Sequence, residues 1–499
     1  MSKQYIDIPL YTTFNDISLK NFSLSATQYK SFCIKNQNVL TVRDFLSRDL
    51  ERKDLGSEVG SEAYVDASNY FFIKTKALQA ETYLLDINKE SLQNITPMSF
   101  INSNLKKGDL LISKDSNVGE IAILDKDYPN TMLCGGIYKL PISDKKYYLL
   151  AFIKNDIFRQ QIDFLVPRGS TIRHGKTKFL ECQIPMPNKN ASNTIKYVEL
   201  LMQAIFNKEI EIKNKHTLVL QMISDELCTN QKDNRFKFQM PTLSEILSVD
   251  RLDSNRYSEE YKSFRFLVSN YKNGYSCLED YGYKAKRGQN LQVSAIGKSV
   301  YSDVYYEGFY DLILSQNLSK EGRILKKKYL GNENELSVLQ QGDIVFSARG
   351  QCLGRSFVVL EQQDHQITNI DSMVFYGNPD IRKSCFIHLM LDLYRSNDFI
   401  KKIGINGSGA ESVTKYQLQD IPFPNFPTEK EESIVRLYYN PKVSYDASKC
   451  SLENFLEYDT GFNMNAGIYE LDKSMKYLQS KLAQAISCIA DDETVDISF

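Results

Sequence analysis

The chain has 499 residues, too many for one ordinary core, so two or more domains are expected. Hydrophobic residues make up 42% and charged residues 25%, as in a globular protein that works in water. The net charge of −1 excludes a polybasic nucleic-acid coat, but not a nucleic-acid binder whose positive charge is gathered on one face.

The opening, MSKQYIDIPLYTTF, has no basic segment followed by an apolar run, so no signal peptide is expected. No stretch has the apolar length needed to cross a bilayer. Nine scattered cysteines without a CxxC pair suit reduced thiols and a cytoplasmic location. The four histidines show no paired spacing with cysteine, so no zinc site is expected.

The first phrase that returns is YKSF, at Tyr29–Phe32 and again at Tyr261–Phe264. Next comes KKGDLLISKDSNVGEIAIL from Lys106, matched by QQGDIVFSARGQCLGRSFVVL from Gln340. GDLLIS and GDIVFS read as strands after a Gly-Asp turn, with GEIAIL and GRSFVVL as second strands. Asp109 and Asp343 are expected to accept backbone N–H bonds in those turns. Residues 147–165 and 384–403 have helical spacing. VPRGSTIRHG from Val166 then faces IGINGSGAES from Ile403. Each copy closes on one phrase, TKFLECQIPMPN at 177–188 and TKYQLQDIPFPN at 414–425. Its prolines are read as a stiff extended exit. Four anchors in one order, with offsets from 232 to 237, describe a duplication of a mixed α/β unit.

After the first exit, Ile195, Val198, Met202, Ile205, Glu209, Ile212, His216, Val219 and Ile223 follow 3,4 spacing, which predicts one helix over about 194–228. After the second, a short helix is expected over about 429–439, then Asn440-Pro441 and an irregular stretch to about 464. Ile468, Leu471, Met475, Leu478, Leu482, Ala485 and Ile489 form a second seam. Two such seams, each after a repeated globular segment, predict an antiparallel coiled coil and pseudo-symmetric globular domains. The expected boundaries are 1–190, 191–230 for the helix, 231–427, and 428–499 for the region pairing with it.

The ordered set of Gly-Asp strands, Gly-Ser loops, Ile-Pro-x-Pro exits and long helices resembles the specificity subunit of Type I restriction–modification enzymes. RLDSNRYSEEYK from Arg251 also resembles the opening of that family's target recognition domains; SLSATQYK in the first copy lacks the Arg-Leu-Asp start. The resemblance implies that each globular copy reads one half of a bipartite, asymmetric site on double-stranded DNA. It implies that the helices dock two adenine methyltransferase subunits, with motor–nuclease subunits completing a phage-defence complex. S-adenosylmethionine, ATP and Mg²⁺ would belong to those partners, and this chain would bind no cofactor.

A non-catalytic role agrees with the absence of a DPPY-type tetrapeptide, a GxGxxG turn and a phosphate loop. Asp253, Glu260 and Lys262 imitate a nuclease D…ExK order, but the first copy has Gln28 where the acid would stand. The alternatives are a stand-alone Mg²⁺-dependent nuclease built on that triplet, and a coiled-coil assembly protein with no DNA role.

A duplex reader needs cations for phosphates, and amides, hydroxyls or arginines for base edges. The candidates in the first copy are Lys114 and Asn117 after the Gly-Asp strand, then Arg168, Ser170, Thr171, Arg173, Lys176 and Lys178. In the second copy they are Arg349 and Gln351, then Ser408, Ser412, Thr414 and Lys415, with the basic run RILKKK at 323–328 nearby in sequence. Solvated surface charge and turn formation are the competing roles for each.

Overall fold

Each Gly-Asp strand is apolar at successive positions because both of its faces are covered. In a strand, alternate side chains point to opposite faces. Leu110 and Ile112 enter a core with helical residues such as Tyr148 and Phe152. Leu111, between them, joins Phe72, Ile73 and Met132 in a second core. A computed structural model describes residues 4–142, 144–166, 173–249, 252–363, 365–404 and 411–499. The chain divides into two compact units: residues 1–211, 445–464 and 471–499 form the first, and residues 212–444 and 465–470 the second.

The same mixed α/β topology is built in both. Leu110–Ser113 lies between antiparallel neighbours Ile121–Ile123 and Ile137–Leu140. Ile344–Ser347 lies between Ser356–Val358 and Ser372–Tyr376 in the same way. A second sheet in the first unit has Phe71–Ile73 antiparallel to Leu92–Asn94 and parallel to Thr131–Leu133. Its counterpart has Tyr310–Ile313 antiparallel to Lys328–Asn332 and parallel to Gln366–Thr368. The second unit adds an edge strand to each sheet, Lys284–Arg287 and Ser299–Ser302.

The turns that start the central strands agree with the sequence reading. Asp109 accepts the Lys106 N–H at 2.8 Å and Asp343 the Gln340 N–H at 2.9 Å. The preceding glycines, Gly108 and Gly342, have φ of 86° and 91°, a region that favours glycine. The exits differ from expectation, because they pair. Gln183–Pro185 runs antiparallel to Val39–Thr41, and Phe423–Pro424 to Tyr275–Ser276. A two-stranded ladder leaves an open side on each strand, which tolerates the missing proline N–H.

Four other segments fold otherwise than their sequences suggest. YKSF ends in a short strand, Ser31–Phe32, in the first unit but lies inside the helix Glu259–Ser269 in the second. Residues 147–165 form two helices, Lys146–Ile153 and Asp156–Leu165, because Asn155 caps the second through the Ile157 N–H. The expected helix over 384–403 is likewise two, Ile381–Ser396 and Phe399–Ile403. Residues 440–464 are not wholly irregular, since Phe455–Asn465 is helical.

The long helix runs from Ala191 to Thr229. Its seam is buried at Val198, Met202, Ile205, Ile212, Val219 and Ile223, and half-buried at Ile195. In the first unit Val198, Met202 and Ile205 share a core with Met475, Leu478 and Leu482 of the helix Ile468–Ala490. Leu471 is fully buried as well. The two run antiparallel: Asn188 and Lys189 bond to Asp492, whereas Glu209 and Gln479 both bond to Tyr83. In the second unit the helical partner is Thr428–Tyr438. Lys430 lies 3.3 Å from Glu226, and Tyr438 packs on His388, one turn before Asp392. Asp392 in turn holds His216. Burial alone would raise the Asp392 carboxyl, but Arg395 and the His216 bond outweigh it and hold it at about 2.

The helix Phe455–Asn465 is anchored by a charge that its own sequence does not announce. Lys208 is fully buried on the long helix. It lies 2.8 Å from Asp459 and donates to Asn463 Oδ1 at 2.8 Å. Its ammonium sits 4.7 Å from the centre of the Tyr445 ring and 4.6 Å from that of Phe462. Burial makes Lys208 less basic than usual, with Asp459 opposing that shift. Lys208→Met leaves a buried carboxylate without its cation and is expected to cost about 3–5 kcal/mol. Adding Asp459→Leu should recover most of that loss. Denaturant unfolding of both variants checks it; equal instability of the single and double variants would contradict the pairing.

Candidate nucleic-acid interface

Two loops that are far apart in sequence meet at the end of each central strand. In the first unit, Ser113 N–H donates to Glu120 O and Gly119 N–H to Ser113 O, both at 2.8 Å, closing the loop between them. In the second, Ser347 N–H donates to Arg355 O at 2.7 Å and Gly354 N–H to Ser347 O at 2.9 Å. The loop following the helices then docks alongside. Gly175 N–H donates to Lys114 O at 2.7 Å, and Val413 N–H to Ala348 O at 2.9 Å. Ser116 N–H reaches Arg173 O and Gly350 N–H reaches Glu411 O, each at 2.9 Å. Asp115 thereby faces His174 in one unit and Arg349 faces Ser412 in the other. One backbone scaffold is repeated with different side chains at its tip.

In the first unit most of the described candidate side chains have internal partners. Lys114 forms an ion pair with Asp115, whose other oxygen lies 2.8 Å from His174 Nδ1. Asn117 donates to Leu78 O at 3.1 Å. Arg173 binds Asp163 at 2.9 Å and donates to the carbonyls of Ile162 and Val166 at the C-terminal end of the helix Asp156–Leu165. Lys178 is exposed and lies 2.9 Å from Glu181, an ion pair of small energetic weight. Lys176 is exposed, with φ of 48°. Arg168, Ser170 and Thr171 lie outside the described residues.

The second unit presents its candidates more openly. Arg349 is 52% exposed and 3.7 Å from Asp371; Gln351 is exposed. Thr414 is the N-cap of Lys415–Gln419 in a capping box with Gln417, and Lys415 is exposed at that helix's first position. Ser412 is half-buried, and Ser408 lies outside the described residues.

Sequence reasoning missed Arg287. It lies on the added edge strand and donates to Val413 O at 3.3 Å. Burial, and then the nearby Arg349 charge, lower its pKa from the ordinary value. Its strand was not among the repeated phrases, so no anchor pointed to it. Asp115 was also missed, although SKDSN displays it: an acid supplied by one loop meets His174 of the other.

The basic run at 323–328 is partly committed to the fold, with Arg323 buried and Lys327 paired to Asp311. The D…ExK residues point to separate partners. Asp253 accepts the Arg256 N–H, Glu260 lies 3.5 Å from Lys402, and Lys262 lies 3.0 Å from Glu245. Among the described residues no group of three or more His, Cys, Asp or Glu side chains is placed to hold a metal ion. No helix among them is long and apolar enough to cross a membrane.

No protein-family model matches the chain, and no curated protein matches it. Solved structures do align along most of its length. One is the S subunit of a Type I restriction-modification system from M. genitalium, at 11% identity and TM-score 0.36, covering 90% of this chain and 95% of that one. Another is the HsdS subunit from Thermoanaerobacter tengcongensis, at 11% identity and TM-score 0.26, covering 89% and 96%. A third comes from work on complex assembly and conformational transition of the type I R-M system, at 12% identity and TM-score 0.26, covering 91% and 99%.

The loop scaffold makes a stability prediction. Gly350 and Gly354 have φ of 80° and 85°. Nothing lies within 4 Å of a Cβ added at Gly350, whereas one at Gly354 would lie 3.0 Å from Arg395 Cγ. Gly350→Ala should cost about 1–2 kcal/mol from backbone strain alone. Gly354→Ala should cost more, because Arg395 already holds Asp392 and has little room to yield. Thermal unfolding compares them, and equal losses would contradict the packing argument.

Proposed function

We propose that the chain is the DNA-recognition subunit of a Type I restriction–modification complex. The observation that carries this reading is the loop pair built twice on one backbone scaffold with different side chains at its tip. A protein that reads two unlike half-sites needs a constant frame and variable contacts. Phosphates hold a reader in register, and base edges specify sequence. Arg349 and Gln351 suit bidentate contacts to guanine and adenine respectively. Lys176, Lys178 and Lys415 suit phosphates, and Ser412 and Thr414 suit hydroxyl contacts. Lys114, Asn117 and Arg173 serve chiefly to hold the first loop pair in shape. Arg168, Ser170, Thr171 and Ser408 remain contact candidates from the sequence resemblance.

On this reading the chain has no catalytic residues and binds no cofactor. Its helices dock two adenine methyltransferase subunits, which carry S-adenosylmethionine. Motor–nuclease subunits with ATP and Mg²⁺ complete the complex, which acts in the cytoplasm. The seam residues Ile195 to Ile223 and Leu471 to Leu482 serve folding, so partner docking falls to the outward faces of these helices.

Arg349→Ala tests the reading. Its side chain is exposed, so stability should change by no more than about 0.5 kcal/mol. Discrimination at one base pair of the target should relax by about 1–3 kcal/mol. Methylation kinetics on a panel of single-base target variants, with the methyltransferase partner present, supply the measurement. An Arg349→Ala chain that weakens all targets equally would contradict base readout by this residue.

A further inference from the structure

The second unit contains a cleft whose charge no repeated feature explains. It lies between residues 235–239 and the helix Glu259–Ser269, with a volume of about 870 Å³. Five cations line it, Arg235, Lys237, Arg256, Lys262 and Arg265, against two carboxylates, Glu245 and Asp420. Lys262 is engaged with Glu245 at 3.0 Å. Arg265 donates to the Asp420 backbone carbonyl at 3.3 Å, not to its carboxylate. The Arg256 guanidinium lies over the Tyr261 ring, 4.7 Å from its centre. Arg235 and Lys237 are exposed. In a chain of net charge −1, this is a local concentration of positive charge beside aromatic walls.

The first unit supplies an internal control. Its cleft at the repeated tetrapeptide carries Lys30, the counterpart of Lys262, but its other charged lining residue is Asp163. Gln4, Ile6 and Ile8 line it from a segment that pairs with the tetrapeptide as a strand, Ile6 opposite Phe32, and the volume is about 260 Å³. The duplication did not require a basic cleft here, so the charge in the second unit is a property of that unit.

We propose that this cleft binds nucleotide phosphate, clamping a DNA strand on the second unit outside the paired loops. Cations at the rim neutralise phosphodiesters, while the half-buried Phe236 and Phe266 offer ring surface to sugar and base. The clamp rests on the DNA-recognition reading and makes the two units unequal: the second carries a sequence-independent hold that the first lacks. Free nucleotide shares this chemistry, so the test separates the two sources.

Binding of the full-length chain to a random-sequence duplex is measured by fluorescence anisotropy across a salt series, and ATP serves as the free-nucleotide probe. Arg235→Gln/Lys237→Gln should weaken the duplex and lower the slope of log affinity against log salt by about 2, since each phosphate contributes about 0.9. Arg235→Lys/Lys237→Arg should restore the slope, and Lys30→Gln in the first unit should leave it unchanged. ATP that fails to compete identifies the strand as ligand. ATP whose binding is lost in the glutamine variant identifies a free-nucleotide site, and if no duplex binds, that site survives while the DNA reading falls. An unchanged slope in the glutamine variant, with duplex binding intact, overturns the clamp alone. A chain that binds neither duplex nor ATP overturns both.

Discussion

The central strand of each unit is buried on both faces, and the proposed recognition surface depends on that. Residues Leu110–Ser113 and Ile344–Ser347 are buried at every position. Sheet partners hold them on two sides while side chains enter cores above and below. A strand so confined has one register, because a slip of one residue would exchange its two faces. The loop that leaves its end therefore starts from a fixed point. The second loop joins by backbone bonds from Gly175 and Val413, so the same pairing is made in both units although the residues differ. The same frame carries different tip residues, Asp115–His174 in one unit and Arg349–Ser412 in the other.

The helices add a second constraint. Polar residues interrupt the apolar seam of Ala191–Thr229, and each meets a defined group inside its unit. Glu209 takes the Tyr83 N–H, Lys208 takes Asp459, and His216 takes Asp392. Buried charges with specific partners penalise a shifted helical register more sharply than apolar contacts do, because a slip leaves charges without counterparts. The seam is also served by different partners in the two units, Ile468–Ala490 in the first and Thr428–Tyr438 in the second. The residues between these partners include the helix that Lys208 anchors.

Much of the frame was legible in the sequence because its causes are local. Gly-Asp turns announce strand starts, 3,4 spacing announces the seams, and four ordered anchors announce the duplication. What could not be read depends on distant partners. YKSF has one sequence and two conformations, since each unit supplies different neighbours. The helix Phe455–Asn465 contains Gly461 and gains its anchor from Lys208, some 250 residues earlier. Arg173 looked like a surface cation until Asp163 and two helix carbonyls were placed beside it. Arg287 lies on a strand outside the repeated anchors. Candidate contacts were therefore legible as loops, while the division of labour among their side chains was not.

Two similar units with different tips should act as separable readers. The most direct measurement exchanges residues 250–425 for the equivalent segment of a relative with another target, then maps methylated adenines across a genome in cells that also hold the methyltransferase partner. One half-site of the bipartite target should change to that of the donor while the other stays as it was. A change in both half-sites, or in neither, would contradict the account.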